Sequence, residues 1–442
     1  MKKFLKSLLL CSFLAISFIY LTGCSEDDPG PQLTGDTKTY DLNSVSNPAV
    51  NGTVTFAQRD DDQVLVTIQL AGTQSGNTHP AHLHANSAAE GGGIVLDLTA
   101  VNGATGKSET VVKALNDGTT LTYDDILAFD GYVNVHASAS DLGTLIGQGD
   151  IGQNELSGDE KVYPLAVVSN PDISGTATFA KRINGETLVT VSLNGTTDGG
   201  VHPSHIHANS AAKTGGIVID LSDIDGTTGI GRTNIAALND ATPITYEELL
   251  NFDGYLNVHL SATEIGALIA QGDIGQNELT GDNKIYTLQP VANPAVTGTA
   301  TFAKRKNGTT LVTVALTNTT PGASHSSHIH AKTIAEGGSI VINLNNVDGT
   351  TGKARTSVTK LNDVGTTIGA PITYEELLNF NGYLNVHVGS SFVAQGDIGQ
   401  NELTGVSKTY TLNSVSDPAI SGTAIFAKRK NGNTLISIAL QG

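Results

Sequence analysis

The chain has 442 residues, of which 39% are hydrophobic and 15% charged. This length is too great for one hydrophobic core and indicates roughly three domains. The net charge of −18 repels phosphate backbones and argues against nucleic acid as a partner. With 50 Gly, no Trp and few strong helix formers, the composition predicts a β-rich protein without long helices.

Residues 1–23 have the features of a lipoprotein signal peptide. Lysines near the start precede an apolar stretch, residues 8–20, which is too short to span a membrane. The stretch ends in Leu21-Thr22-Gly23-Cys24, which resembles a bacterial lipobox; an ordinary secretory signal is the alternative. The resemblance implies cleavage before Cys24, a lipid on Cys24, and attachment of the protein to a membrane through that lipid.

The residues after the predicted cleavage site bear on location and redox chemistry. Ser25 and the acidic run Glu26-Asp27-Asp28 resemble the sorting signals of outer-membrane lipoproteins exported to the cell surface; a location facing the periplasm is the alternative. Residues 24–37 are expected to be a flexible tether. The other cysteine, Cys11, lies in the signal peptide, so the folded part has no disulfide and no thiolate ligand.

The body of the chain is an internal repeat. Tyr40, Tyr163, Tyr286 and Tyr410 open similar segments at spacings of 123, 123 and 124 residues, a period that suits tandem domains rather than a solenoid. The predicted domains are residues 38–158, 159–282 and 283–406, followed by a partial fourth copy, residues 407–442. Because the fourth copy is too short to fold unaided, we expect it either to pair with a neighbouring edge or to be a truncated repeat.

Short strands and one short helix are predicted within each copy. Residues 188–193 alternate apolar and polar side chains, which is typical of a strand with one buried face. Asn307-Gly308 marks a hairpin, and Thr245 with Glu248 forms a capping box at a helix start. The predicted fold is all-β, with tandem Greek-key β-sandwich or barrel domains that each carry one short helix.

All 12 histidines occupy four sites in each of the three complete copies. The pattern is His-x-x-His-x-His, followed some fifty residues later by a fourth histidine in Asn-Val-His. On a strand, residues i and i+2 lie on one face, so two of these imidazoles can meet a third from another strand. Three histidines that leave one coordination position open are typical of catalytic zinc and of copper sites.

We therefore predict copper or zinc ligands in each repeat, and one further histidine per repeat that supports them without binding the ion. The alternative is that these histidines are buried and satisfied by internal hydrogen bonds. The predicted ligands are His82, His84 and His136; His205, His207 and His259; and His328, His330 and His387. The predicted supporting residues are His79, His202 and His325.

A second motif, Gln-Gly-Asp-Ile-Gly-Gln-Asn-Glu, recurs from Gln148, Gln271 and Gln395. Its side-chain oxygens could bind calcium, but they lack the alternating spacing of a calcium loop. The motif is interpreted as the exit of a strand followed by a turn.

Several motifs in their order along the first copy resemble the CHRD domain, which is named after chordin and also occurs in bacterial secreted proteins. These motifs are the strand Gly52-Thr53-Val54-Thr55-Phe56, His82-Leu83-His84, the strand 93–98, Tyr132-Val133-Asn134-Val135-His136 and the closing segment 143–149. The resemblance covers about residues 38–406 in three copies. It implies an extracellular β-sandwich binding module without established enzyme activity.

The histidine segments also resemble those of Cu/Zn superoxide dismutase. The similarity covers His79-Pro80-Ala81-His82-Leu83-His84 and the stretch from His136 to Gly143. It implies that His82, His84 and His136 are copper ligands. No histidine lies between His84 and His136 to bridge two metals, and no arginine follows His136 within its copy; these departures count against dismutase activity.

The sequence thus favours a surface-anchored, non-enzymatic string of CHRD-type domains that binds an unidentified extracellular protein or ligand. Each repeat is expected to be able to hold one copper or zinc ion. One alternative is a copper-dependent dismutase or oxidase. The other is a purely structural spacer or adhesin.

Overall fold

The computed structural model describes residues 30–169 and 171–442. The predicted signal peptide, residues 1–23, and the predicted lipidation site Cys24 lie outside these residues. Among the described residues, no helix combines the length and the apolar character needed to cross a membrane.

Three closed eight-stranded barrels account for the three complete repeats. The first consists of β1 Leu33–Ser44, β2 Asn51–Arg59, β3 Val64–Ala71, β4 Thr78–Ala85, β5 Ile94–Asn102, β6 Lys107–Val112, α1 Tyr123–Leu127, β7 Asp130–Ser138 and β8 Asp141–Gly152. The second consists of β9 Leu156–Val167, β10 Ser174–Arg182, β11 Thr187–Asn194, β12 Val201–Ala208, β13 Ile217–Asp225, β14 Ile230–Ile235, α2 Tyr246–Leu250, β15 Asp253–His259 and β16 Leu268–Gly275.

The third barrel consists of β17 Leu279–Pro290, β18 Gly298–Arg305, β19 Thr310–Leu316, β20 Ser324–Ala331, β21 Ile340–Asp348, β22 Lys353–Val358, α3 Tyr374–Leu378, β23 Asn381–Val388 and β24 Ser391–Gly399. A three-stranded sheet follows, made of β25 Leu403–Leu412, β26 Ser421–Arg429 and β27 Thr434–Gln441. The prediction of tandem all-β domains with one short helix each is confirmed.

The strand order of each barrel is a Greek key. In the second barrel the order is β10-β11-β14-β13-β12-β15-β16-β9, and β16 closes the barrel on β9 through Ala270 and Val167. The connection from β11 to β12 therefore crosses β14 and β13, and the connection from β14 to β15 crosses β13 and β12. This crossing makes β12 and β15 adjacent although about fifty residues separate their histidines in the chain.

Alternation of apolar and polar side chains places the core inside each barrel. Phe179, Val191, Ile206, Leu256 and Val258 are buried together in the second barrel, and their neighbours along each strand face outward. The outward residues of β15 are buried as well, since every position from Gly254 to His259 is buried. A strand that is buried on both faces must be covered on its outer side by loops.

The predicted helix start is confirmed in all three repeats. Thr245 accepts a hydrogen bond from the Glu248 backbone N–H, and the Glu248 carboxylate accepts one from the Thr245 N–H. Thr122 and Thr373 form the same reciprocal capping box. The box satisfies N–H groups that a helix of 5 residues would otherwise leave without partners.

The first strand of each repeat starts a few residues earlier than the predicted domain boundaries. β1 begins at Leu33, inside the segment assigned to the tether, because Leu33 pairs with Arg59 at the far end of β2. Leu279 pairs with Arg305 in the same way in the third barrel. A register irregularity follows each pair, so the strand continues beyond the alternating pattern that the sequence displays.

The partial fourth copy forms only the sheet β25-β26-β27. Its apolar residues are exposed where their counterparts in complete repeats are buried: Tyr410 is 52% exposed and Tyr286 only 3%. In a complete repeat, the other five strands of the barrel cover the face of the sheet that carries these apolar residues.

A pair of isoleucines tests the assignment of inner and outer faces. Ile206 on β12 is fully buried, whereas Ile217 on the neighbouring β13 is 46% exposed. We expect Ile206→Ala to destabilise the second barrel by about 2–5 kcal/mol because it leaves a cavity. The matched variant Ile217→Ala should cost less than about 1 kcal/mol. Hydrogen–deuterium exchange of second-barrel peptides measures both, and equal effects would contradict the assignment.

Candidate metal centre

Strand pairing brings the second-repeat histidines together on one face. In the register of β12 and β15, His205 lies opposite Asn257 and His207 lies opposite Tyr255. His259 follows Asn257 by two residues and therefore shares that face. The alternate residues of both strands belong to the hydrophobic core, so the histidines project from the outer surface of the barrel.

Two connecting segments fold over this outer face. The loop of residues 209–216 follows β12, and its Gly215 carbonyl accepts a hydrogen bond from His207 Nδ1 at 3.0 Å. The segment of residues 260–267 follows β15, and its Ile265 carbonyl accepts one from His259 Nδ1. Both rings are consequently more than nine-tenths buried although they lie outside the barrel.

These two hydrogen bonds fix the tautomers of the rings. A carbonyl oxygen can only accept, so Nδ1 of His207 and Nδ1 of His259 carry the protons in the neutral rings. Their Nε2 atoms keep a lone pair. His205 Nδ1 lies 3.2 Å from His259 Nε2, and one ligand atom from each of the three residues lies within 4.8 Å of the others.

Burial favours the neutral forms of His205 and His259. Desolvation lowers the pKa of His205 against the opposing effect of Asp220, whose Oδ1 lies 3.7 Å from His205 Nε2. Desolvation also lowers the pKa of His259, and the nearby rings of His205 and His207 lower it further. Neutral imidazoles are the form that binds metal ions.

The first repeat has the same arrangement. His82, His84 and His136 form a group that meets the same distance criterion. His82 Nδ1 lies 3.0 Å from His136 Nε2, and His136 Nδ1 contacts the Leu142 carbonyl at 2.7 Å. His84 Nδ1 contacts the Gly92 carbonyl at 3.0 Å.

The third repeat keeps the close contact between two histidine rings but does not form the three-histidine group. His387 Nε2 lies 3.2 Å from His328 Nδ1, yet among the described residues these two and His330 do not form a third group of this kind. The segment from His387 to Gln395 is four residues shorter than its counterpart, since His387 precedes Gln395 by eight residues and His259 precedes Gln271 by twelve. His387 Nδ1 therefore bonds to Gly389 only two residues away, and the two rings stack at 27° instead of crossing at 63°.

The predicted supporting histidines are buried beside the ligand strand. His79 Nδ1 contacts the backbone carbonyls of His136 and Ala137 at 3.1 and 2.9 Å, and His202 Nδ1 contacts the Leu260 carbonyl at 2.8 Å. These bonds hold the end of the strand that carries the third ligand. His325 is also buried, but neither of its ring nitrogens has a partner among the described residues.

Sequence reasoning missed two residues that shape the site. The Tyr255 ring stacks on His207 with centroids 4.8 Å apart, and Asn257 Nδ2 lies 3.4 Å from His207 Nε2. Gln271 orients the Asn257 amide through a 2.8 Å hydrogen bond. The signal that could have found them is the spacing Tyr-x-Asn-x-His, which places tyrosine and asparagine on the same face as the histidine.

Comparison with known proteins identifies the domain type. A family model described as the CHRD domain matches residues 32–148 and 153–271, which correspond to the first and second barrels. No curated protein and no solved structure matches the chain.

The lowered pKa values predict a pH dependence of stability. Burial holds the pKa of His205 and of His259 below the ordinary histidine value of about 6.5 in the folded state, so the unfolded chain binds more protons as the pH falls through about 6.5. The free energy of unfolding of the metal-free second barrel should therefore decrease between about pH 7.5 and pH 5.5.

The double variant His205→Gln/His259→Gln should lose less stability over the same interval, because glutamine does not titrate. Hydrogen–deuterium exchange of second-barrel peptides at several pH values measures this difference. An equal pH dependence in both proteins would contradict the assignment.

Proposed function

Because the chain belongs to the CHRD domain family, we propose that it is a cell-surface binding module whose first and second repeats each hold one copper or zinc ion. The observation that carries this proposal is the convergence of three imidazoles on the outer face of each of these barrels. In each group, backbone carbonyls fix the tautomers of two of the three rings. An unidentified extracellular protein or ligand is the partner of the module as a whole.

The distances within each group suit a metal ion. Two nitrogens bound at 2.0–2.1 Å to a tetrahedral ion lie about 3.3 Å apart. The separation is 3.2 Å between His205 Nδ1 and His259 Nε2 and 3.0 Å between the corresponding atoms of the first repeat. Small ring movements would therefore admit the ion.

Asp220 favours the tautomer of His205 that a metal ion needs. In the metal-free protein, His205 Nδ1 is the donor toward His259 Nε2, since the proton of His259 is on Nδ1. Binding through Nδ1 would require the His205 proton to reside on Nε2, which faces Asp220 Oδ1 at 3.7 Å. A carboxylate behind a ligand histidine orients the ring and raises its basicity, and Asp97 occupies the same place behind His82.

The third repeat lacks these supporting features. Asn343 stands at the position of Asp220 and pairs with His328 across the strands, as Asp220 does with His205. Together with the shortened segment between His387 and Gln395, this replacement supports a capacity of two ions per chain. A metal ion on His328, His330 and His387 stays a prediction from the sequence.

Electrostatics favour metal binding over turnover of superoxide. The exposed carboxylates Asp220 and Asp97 lie beside the two groups, and the chain carries a net charge of −18. This field attracts cations and repels an anionic substrate. Dismutase-like activity is therefore the second candidate, and a binding module is the first.

The predicted location at the outer membrane rests on Ser25 and the acidic run Glu26-Asp27-Asp28, which follow the lipobox-like segment that ends at Cys24. A lipid on Cys24 would place the barrels at the membrane surface. The spacer or adhesin hypothesis would keep this location and dispense with the metal.

Metal stoichiometry tests the proposal. Purified chain (residues 24–442, with Cys24→Ser) should bind about two equivalents of Cu²⁺ or Zn²⁺, given its two complete groups. His84→Gln and His207→Gln should each remove one equivalent, because each deletes one of three ligands. The matched variant His330→Gln should remove none.

Elemental analysis after dialysis against a weak chelator measures the bound metal. Absence of tight uptake would leave the structural spacer, and superoxide turnover by the copper-loaded chain would favour the enzyme. A third equivalent that His330→Gln removes would restore the sequence prediction for the third repeat.

Lipidation is tested in a Gram-negative host. Cys24→Ala should abolish incorporation of an alkyne-labelled fatty acid and release the protein from the membrane fraction, since no other cysteine follows the signal peptide. Cys11→Ala is the matched control and should keep the label. Membrane attachment of unlabelled Cys24→Ala would contradict the anchor.

A further inference from the structure

The recurring Asp-Ile-Gly-Gln-Asn-Glu turn is a docking site for the next repeat. In the second barrel it comprises the last three residues of β16 and the three residues after them, and it receives the tip of the β18–β19 hairpin of the third barrel. The N–H groups of Lys306 and Asn307 donate to the carbonyls of Glu278 and Gln276 at 2.9 and 3.0 Å. The motif interpreted as a strand exit therefore also forms the junction between repeats.

A buried arginine crosses this junction. Arg305, at the end of β18, is fully inaccessible to solvent. Its Nη1 contacts Asp273 Oδ2 at 2.8 Å and the Asn277 carbonyl. Its Nε and Nη2 have no partner among the described residues, and burial lowers its pKa. An incompletely paired buried charge adds little net stability compared with an apolar side chain, so its presence needs another explanation.

The two residues that Arg305 contacts also hold the loop over the histidines. Asp273 uses its second oxygen, Oδ1, to accept a 2.8 Å hydrogen bond from the Ala211 N–H. Asn277 donates its side-chain amide to the Asn209 carbonyl at 2.5 Å. Both contacts lie within residues 209–216, the loop that follows β12.

That loop carries the acceptor that fixes His207. The Gly215 carbonyl binds His207 Nδ1–H at 3.0 Å, and the Gly215 N–H donates to the Tyr255 hydroxyl at 3.2 Å. A Cβ at position 215 would lie 2.1 Å from the Ala208 carbonyl oxygen, so the loop packs there without space to spare. Displacement of the loop would thus move the hydrogen bond that keeps the proton of His207 on Nδ1 and leaves Nε2 unprotonated.

We propose that Arg305, from the third repeat, is a positioning residue for the histidine site of the second repeat: through Asp273 and Asn277 it holds the loop whose Gly215 carbonyl fixes the tautomer of His207. The metal-affinity part of this inference rests on the proposed function, whereas the tautomer part does not. Docking of one repeat and metal binding in the repeat before it are then thermodynamically linked.

The first repeat is linked to the second in the same way. Arg182 Nη1 contacts Asp150 Oδ2 at 2.8 Å, and Asp150 Oδ1 accepts a 2.7 Å hydrogen bond from the Ala88 N–H. The loop that contains Ala88 presents the Gly92 carbonyl to His84 Nδ1. Each arginine should therefore affect only the site in the repeat that precedes its own.

The test uses full-length chains with one working site. In a His84→Gln chain only the second site remains, and Arg305→Lys should weaken its Zn²⁺ affinity roughly tenfold or more, as loss of outer-shell support does at known sites. Lysine keeps the charge but lacks the planar fork that reaches two partners. In a His207→Gln chain, where only the first site remains, Arg305→Lys should leave Zn²⁺ affinity unchanged and Arg182→Lys should weaken it.

Two further variants separate positioning from general destabilisation. Arg355→Gln removes an exposed charge 3.9 Å from Asp273 and should leave Zn²⁺ affinity unchanged. Ala211→Pro deletes the N–H that reaches Asp273 but keeps the Arg305 junction. Proline suits this second position of the turn that the Lys213 N–H closes on the Ser210 carbonyl. Ala211→Pro should reproduce the effect of Arg305→Lys on the second site.

The ¹⁵N spectrum of His207 in metal-free protein provides a readout independent of metal. Wild-type chain should show Nδ1 protonated and Nε2 unprotonated, and both Arg305→Lys and Ala211→Pro should shift it toward a mixture of tautomers. If neither site of the wild-type chain binds Zn²⁺ while these shifts occur, the proposed function fails and the positioning role stands. An unchanged spectrum in folded Arg305→Lys and Ala211→Pro chains would overturn the positioning role.

Discussion

The histidine site depends on a simple constraint, namely that a buried neutral imidazole has one donor and one acceptor nitrogen. In each of the first and second repeats, two backbone carbonyls accept hydrogen bonds from the Nδ1–H groups of two rings. These carbonyls belong to Gly92 and Leu142 in the first repeat and to Gly215 and Ile265 in the second. One possible ligand nitrogen of each of the three rings lies within 4.8 Å of the other two. The loops that supply these carbonyls therefore matter as much as the strands that carry the rings.

The strands could be predicted from the sequence because their signals are local. Alternation in residues 188–193, the Asn307-Gly308 hairpin and the Thr245 capping box each depend on a few neighbouring residues, and all three are confirmed. The pairing of β12 with β15 depends on the Greek-key crossing, which no local pattern encodes. The spacing of the histidines predicted that they lie close together, but it did not predict that they lie on the outer face of the barrel.

The differences between repeats were harder to foresee. The third repeat has every histidine of the motif, so the sequence pattern treated it as equal to the other two. Its shorter connection after His387 changes which carbonyl that ring can reach, and this effect emerges only once the chain is folded. The repeated turn motif illustrates the same point, because its partners Arg182 and Arg305 lie in the following repeat.

The arginine at the end of the second strand also distinguishes the first repeat from those that follow. Arg59 pairs with Asp61 in its own hairpin at 3.2 Å and is partly exposed, whereas Arg182, Arg305 and Arg429 are buried against the preceding turn. The hairpin tip Asp60-Asp61-Asp62 replaces the Asn-Gly tip of later copies. The guanidinium of the first repeat is thus paired within its own hairpin, whereas those of the later repeats are paired across a junction with the repeat before. The first repeat is therefore not equivalent to the later ones as a docking partner.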